Sequence, residues 1–166
     1  ISDATAGQTW GRRYVFAELH QTIVSMDVRL DVAFRPGLTL ELYAQPLLAS
    51  GRFDRLGELR APRTHDVLVY GEDVGTVTRE GRQLRIDPDA DGPATPFSID
   101  DRDFSERSLR GNAVLRWEWG PGSTLFLVWQ QVRESDDGRG AFDMKRGIRE
   151  LLGARASNVL MVKATW

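Results

Sequence analysis

The sequence predicts an all-β fold, an antiparallel up-and-down meander that forms the C-terminal segment of a transmembrane β-barrel with long outer loops. Three observations predict it. Apolar and polar residues alternate over stretches of about ten residues. Two Pro-Gly turns, at Arg35-Pro36-Gly37 and Gly120-Pro121-Gly122, join consecutive stretches tightly. The last stretch, Asn158 to Thr165, runs straight into a terminal aromatic, Trp166. The rival architecture is a soluble β-sandwich, a carbohydrate-binding or secreted glycan-active domain in which the apolar strand faces pack on one another.

The elements follow in order. A short strand is expected at about 14–20, then a tight outer turn at His20-Gln21-Thr22. The clearest strand comes next, at 23–34: Val24, Met26, Val28, Leu30, Val32 and Phe34 share one parity, and Ser25, Asp27, Arg29, Asp31 and Ala33 the other. A helix would scatter those charges around its circumference. After Pro36-Gly37, a strand at 38–47 sets Leu38, Leu40, Leu42 and Ala44 against Thr39, Glu41, Tyr43 and Gln45. Strands at 107–119 and 123–132 repeat the pattern around the second Pro-Gly turn, and 158–166 closes the set.

The connections 48–106 and 133–157 are long. The first is expected to contain a hairpin, Val74–Arg79 and Arg82–Asp87 around Glu80-Gly81. In the second, Met144, Ile148, Leu151 and Leu152 recur at helical spacing before Gly153, which predicts a short amphipathic helix with a glycine stop, weakened by Gly147. Membrane barrels have short periplasmic turns and longer extracellular loops. A periplasmic C-terminus then puts both Pro-Gly turns in the periplasm and both long connections outside.

Composition sets bounds. The 166 residues, 41% hydrophobic, fit a single segment, 1–166, with a real core. A net charge of −2, with no Lys/Arg run, offers nothing for nucleic acid. Cysteine is absent, which removes disulfide and thiolate chemistry. No stretch approaches the roughly 18 apolar residues of a membrane helix, whereas barrel strands are only half apolar. The opening residues Ile1-Ser2-Asp3-Ala4-Thr5 carry no signal-peptide pattern. An envelope protein would therefore have its beginning removed or outside this stretch. Six strands fall short of the eight at which membrane barrels begin, so this is expected to be part of a larger barrel.

The run from Asp103 to Gln131 resembles an uncharacterised bacterial envelope family, domain of unknown function 5916. Its core is Leu109-Arg110-Gly111-Asn112-Ala113-Val114-Leu115-Arg116-Trp117-Glu118-Trp119 with Gly120-Pro121-Gly122-Ser123 following. Leu42-Tyr43-Ala44-Gln45-Pro46, Asp87 to Pro93 and Asn158 to Lys163 are similar to the same family in the same order. The resemblance implies a parent with an N-terminal domain similar to family-nine carbohydrate-binding modules, joined to a C-terminal outer-membrane barrel. It implies contact with glycans only through the rest of that parent, and it carries no catalytic residues. The implied setting is the bacterial outer membrane, with lipid and the barrel-assembly machinery as partners, since a terminal aromatic resembles that machinery's recognition signal.

Candidate sites are few. Asp87, Asp89 and Asp91 with Gly92 form D-x-D-x-D-G, the first half of a calcium loop. Ser98 stands where the bidentate Glu belongs, with Asp100, Asp101 and Asp103 near by; a solvated acidic turn stiffened by Pro88, Pro93 and Pro96 is the plainer alternative. Glu18, Asp27, Arg29, Asp31, Glu41, Arg110, Arg116, Glu118 and Lys163 are expected to line the lumen, as a self-paired ion network rather than a solute-guiding path. Phe34, Trp117, Trp119, Trp129 and Trp166 are expected at the membrane interfaces as an aromatic girdle, with a sugar-stacking platform as the competing reading. Glu41 with Glu118, or Asp27 with Asp31, would be a chance glycosidase pair. His20 and His65 lack zinc-site spacing. No catalytic residues and no cofactor beyond the candidate calcium are expected.

Overall fold

The computed structural model describes residues 1–166. Its strands are β1 (Val15–Ser25), β2 (Val28–Arg35), β3 (Leu38–Leu59), β4 (Val67–Val69), β5 (Thr76–Glu80), β6 (Gln83–Asp87), β7 (Phe97–Asp100), β8 (Phe104–Gly120), β9 (Ser123–Asp137) and β10 (Ala156–Thr165). A single α-helix, α1 (Met144–Gly153), lies between β9 and β10. The chain is all-β and mostly antiparallel, in open sheets. The larger sheet has the order β1-β3-β8-β9-β10, with β2 and β4 also paired to β3, and β5-β6-β7 form a second sheet. Two compact units result, Ile1–His20 with Gly51–Asp103, and Gln21–Ser50 with Phe104–Trp166.

In the second unit, alternation becomes register. Leu30 faces Leu42 and Val32 faces Leu40 across β2 and β3. Ala113, Trp129 and Leu160 line up across β8, β9 and β10, and Leu115, Leu127 and Val162 form the next row. Both Pro-Gly turns are two-residue loops with Pro fixing φ at the first position and Gly37 (φ 80°) and Gly122 (φ 77°) taking the left-handed one. Each turn follows a register shift, between Ala33 and Arg35 and between Glu118 and Gly120, so Phe34 and Trp119 sit at bulges.

The turn expected at His20-Gln21-Thr22 does not exist. β1 passes through it, and both β1 and β2 pair with β3. The Met26 N–H donates to Pro46 O at 3.2 Å, which continues the register of Val28 opposite Ala44. None of residues 20–22 is Gly, Pro, Asn or Asp, so nothing there favours a reversal. The break in alternation at Ile23-Val24 marks a strand exposed and apolar on both faces. Residues 15–35 are therefore one interrupted strand, and the chain crosses the sheet five times rather than six.

The connection expected at 48–106 is also shorter. Leu48, Ala49 and Ser50 are buried, and β3 carries on to Leu59, where Gly57, Glu58 and Leu59 pair with β4. β8 begins at Phe104, and β9 extends to Asp137.

The helix and the hairpin lie where expected. Asp143 caps α1 by accepting from the Arg146 N–H at 2.9 Å. Leu151 is buried. Gly147 is buried too, because a Cβ there would come within 3.3 Å of Leu48 Cδ2. The expected glycine stop is absent: Gly153 is the helix's last residue, and Ala154 ends it in extended conformation with its N–H on Leu151 O. β5 and β6 form the hairpin around Gly81 (φ 66°). The core of the first unit gathers Val69, Tyr70, Leu84, Ile86 and Ala94, with Tyr70 and Phe97 edge-to-face at 6.4 Å.

Candidate functional site: the polar face of the long sheet

The strand register decides which charged side chains share a face. Arg29 lies opposite Tyr43 and Asp31 opposite Glu41. Arg110, Asn112, Val114, Arg116 and Glu118 share parity on β8, and Arg116 and Lys163 flank Phe126 from either side. Arg29, Asp31, Glu41, Tyr43, Asn112 and Val114 line one open groove of about 430 Å3, so the two sets occupy the same face. Asp27 joins them by accepting from the Tyr43 hydroxyl at 2.7 Å and from Gln45 Nε2 at 3.0 Å. Glu18 belongs to the other unit, where its carboxylate meets Arg55 at 3.1 Å.

This face is only partly a self-paired network. Arg116 bonds Glu118 at 2.9 Å, and Arg110 lies 3.9 Å from Glu134. The Arg29 guanidinium sits over the Tyr43 ring, 5.4 Å from its centroid. Asp31 and Glu41 are direct cross-strand neighbours of like charge, an arrangement that destabilises a sheet unless something else neutralises it. Asn112 adds a buried Oδ1 with no hydrogen-bond partner. Asp27, Asp31 and Glu41 lie with Arg29 on the β2–β3 side, and Arg110, Arg116 and Lys163 lie with Glu118 and Glu134 on the β8–β10 side. Val114, Phe126, Val128 and Met161 share the face, so it is amphipathic toward β10 rather than uniformly polar.

The opposite face is apolar and uncovered. Val28 is 41% exposed, Leu160 72% and Val162 62%. Phe34, Trp117, Trp119, Trp129 and Trp166 are all exposed, Trp166 at 92%. Trp117 and Trp119 meet edge-to-face at 5.9 Å beside the second Pro-Gly turn. Trp166 follows Thr165, whose partner Thr124 adjoins that turn, whereas Trp129 sits mid-strand with its indole N–H on Asn158 Oδ1 at 3.0 Å. The aromatics therefore occupy the turn end, with Trp129 set apart.

Asp87, Asp89 and Asp91 are not joined by further ligands: neither there nor elsewhere are three or more His, Asp or Glu side chains arranged to hold a metal ion. Asp89 Oδ2 accepts from the Ala94 N–H at 3.0 Å, while Asp87 Oδ1 and Asp89 Oδ1 are buried without partners. Pro88 is fully buried, and a Cβ on Gly75 would collide with the Asp87 carbonyl, so this turn is packed tightly. Asp101 pairs with Arg79, and Asp103 Oδ1 accepts from the Phe53 N–H at 2.8 Å. The His20 Nε2 lies 3.9 Å from both Glu18 and Asp54, largely in solvent.

Two polar nodes escape a reading of the sequence. Arg107, its side chain 2% exposed, holds Asp137 and Glu150 at 2.9 Å each and Ser105 at 3.0 Å. Its signal was available: Arg107 stands at the apolar parity of Leu109 and Gly111, where only a paired charge is tolerated. Asp137 feels burial, which raises its pKa, but hydrogen bonds from Arg107 and the Arg139 N–H outweigh this and hold it low. Arg13 is the second node. It binds Asp3 at 2.7 Å, both oxygens of Glu58 at 2.6 and 2.7 Å, and the Thr5 hydroxyl at 2.9 Å. Hydrogen bonds from Thr5 and Arg13 hold the Asp3 carboxyl down to about 2. Burial and the bond to Glu58 push the Tyr70 hydroxyl upward. No alternation marks this stretch, so nothing in the sequence announces it.

Comparison with family models, curated proteins and solved structures returns no match.

Proposed function

We propose that the chain is a segment of an outer-membrane β-barrel in a bacterial envelope protein. It anchors the parent protein in lipid and lines a water-filled path for polar solutes with its amphipathic inner face. The reading rests on one observation: the long sheet of the second unit is apolar and exposed along one face, while its charged residues gather on the other. In water such a face forms a contiguous apolar patch far beyond the few hundred Å2 that monomeric soluble proteins tolerate. In a bilayer it is the lipid-facing band, and the turn-end aromatics sit at headgroup level. The assignment to envelope family 5916, with its glycan-related parent, enters on the resemblance alone. Catalysis has no part in this reading of the segment.

The test is fractionation of the parent protein from its own bacterium. It should remain with the outer membrane through urea and carbonate washes, and run faster on a gel before boiling than after. Recovery in the periplasmic or secreted fraction without detergent would sink the reading and leave a soluble β-sandwich.

A further inference from the structure

The second unit crosses its sheet five times: residues 21–35, β3 as far as Ser50, β8, β9 and β10. The β2–β3, β8–β9 and β9–β10 pairings are antiparallel. β3 also runs antiparallel to β8, since Gly37 lies at Glu118, Tyr43 at Gly111 and Phe53 at Asp103. The first and fifth crossings therefore run in the same direction. Those two are also the sheet's free edges. The β10 edge is unprotected. Val159 and Met161 are exposed on one face, Leu160 and Val162 on the other. No proline or bulge interrupts its register with β9, and Lys163 is its sole charge. Edges meant to stay free usually carry several such obstructions.

A second copy does not satisfy both edges. Antiparallel pairing of β10 with a second β10 turns one copy over, and sends its Pro-Gly turns to the opposite side of the membrane. Pairing of β10 with residues 21–35 of the next copy keeps the orientation but makes a parallel ladder. We infer that an odd number of further amphipathic strands, at least three, completes the sheet, running antiparallel to both free edges. The minimum follows from the eight-strand, even-numbered onset of membrane barrels. The inference rests on the membrane reading above. It specifies the partner of β10 as a strand with apolar residues opposite Leu160 and Val162.

Residues 1–166 contain no cysteine, so single-cysteine variants made in a full-length parent whose other cysteines, if any, are replaced by serine give a clean readout. Ala4→Cys, Ala141→Cys and Pro121→Cys, all at exposed positions, are treated on intact bacteria with a membrane-impermeant maleimide. Ala4→Cys and Ala141→Cys should label, and Pro121→Cys only after permeabilisation. An Ala4→Cys that behaves like Pro121→Cys would make the number of crossings even and overturn the odd completion. Equal labelling of all three in a detergent-free soluble fraction would instead overturn the membrane reading. A photo-crosslinking phenylalanine analogue at Leu160 then reports the neighbour. Support is a crosslinked peptide of alternating pattern from outside residues 1–166. A dimer-sized adduct, or a crosslink to residues 15–35, would overturn the inference.

Discussion

Asp27 and Val28 are neighbours in the chain with opposite surroundings. Asp27 accepts hydrogen bonds from Tyr43 and Gln45 on the polar face, and Val28 lies opposite Ala44 on the apolar one. Period-two geometry allows no other assignment, because a one-residue slip would exchange every side chain. Val28→Arg is therefore expected to cost roughly 2–4 kcal/mol if Val28 lies near the bilayer midplane. Asp27→Arg, on the wet face, should cost clearly less. Urea titration of the two variants of the complete barrel, followed by the mobility of the unboiled protein, measures the difference. Equal tolerance would remove the argument from alternation.

A second residue-scale expectation concerns acid. Asp3 has a folded pKa of about 2 against an ordinary value of 3.8, so folding favours its charged form. The contribution is fully present above about pH 4 and is lost as pH falls through about 2. Asp3→Asn should remove this part of the acid sensitivity: the variant is less stable at neutral pH, and the gap from the parent closes on acidification. Resistance of the 1–20 stretch to an acid-active protease provides the measure, and a gap independent of pH would count against the Arg13–Asp3 bond.

At the scale of the element, the two Pro-Gly turns look interchangeable in sequence and differ in surroundings. Both glycines hold left-handed φ, so alanine costs about 1–2 kcal/mol at either. A Cβ on Gly37 would also meet the Glu118 carbonyl oxygen at 2.8 Å, while one on Gly122 meets nothing within 4 Å. The Glu118 N–H donates to Gly37 O at 2.6 Å, so that carbonyl cannot easily move away. Gly37→Ala should destabilise distinctly more than Gly122→Ala in the same urea titration. Equal losses would mean the contact yields freely.

The elements also show what a sequence makes legible. Strands β2, β3, β8, β9 and β10 were readable because one face must be apolar and the other not. Where that constraint lapses, periodicity misleads. Leu19, Ile23 and Val24 are exposed on both faces, so alternation does not carry the strand through the turn expected at His20-Gln21-Thr22. It lapses again at Leu48-Ala49-Ser50, where the long connection is expected to begin. Gly147 looked like a defect in a helix until Leu48 appeared against it. The shared face of the site was legible from parity. The opposition of Asp31 and Glu41 was not, since it depends on a register that a bulge at Phe34 shifts.

For the whole molecule, β10 is the point at which the sheet must be finished. Its register with β9 puts Ala164, Val162 and Leu160 on the apolar face, with Lys163 opposite Phe126 on the other. Trp166 extends this row beyond Thr165 at the turn end, almost wholly exposed, where the barrel reading places the periplasmic interface. In lipid, a strand that fails to dock leaves backbone groups unpaired at several kcal/mol each, so assembly depends on an edge strand such as β10 more than on any loop. Deleting Trp166, or replacing it with Asp, is expected to reduce folded parent protein in the outer membrane severely. Deletion of Ser135 to Asp137 should reduce it much less, even though it removes Asp137 from Arg107 at the far end of β9. The amount of heat-modifiable protein in the outer-membrane fraction decides between them. Normal amounts of folded protein lacking Trp166 would make β10 an ordinary soluble strand and move the sandwich reading ahead.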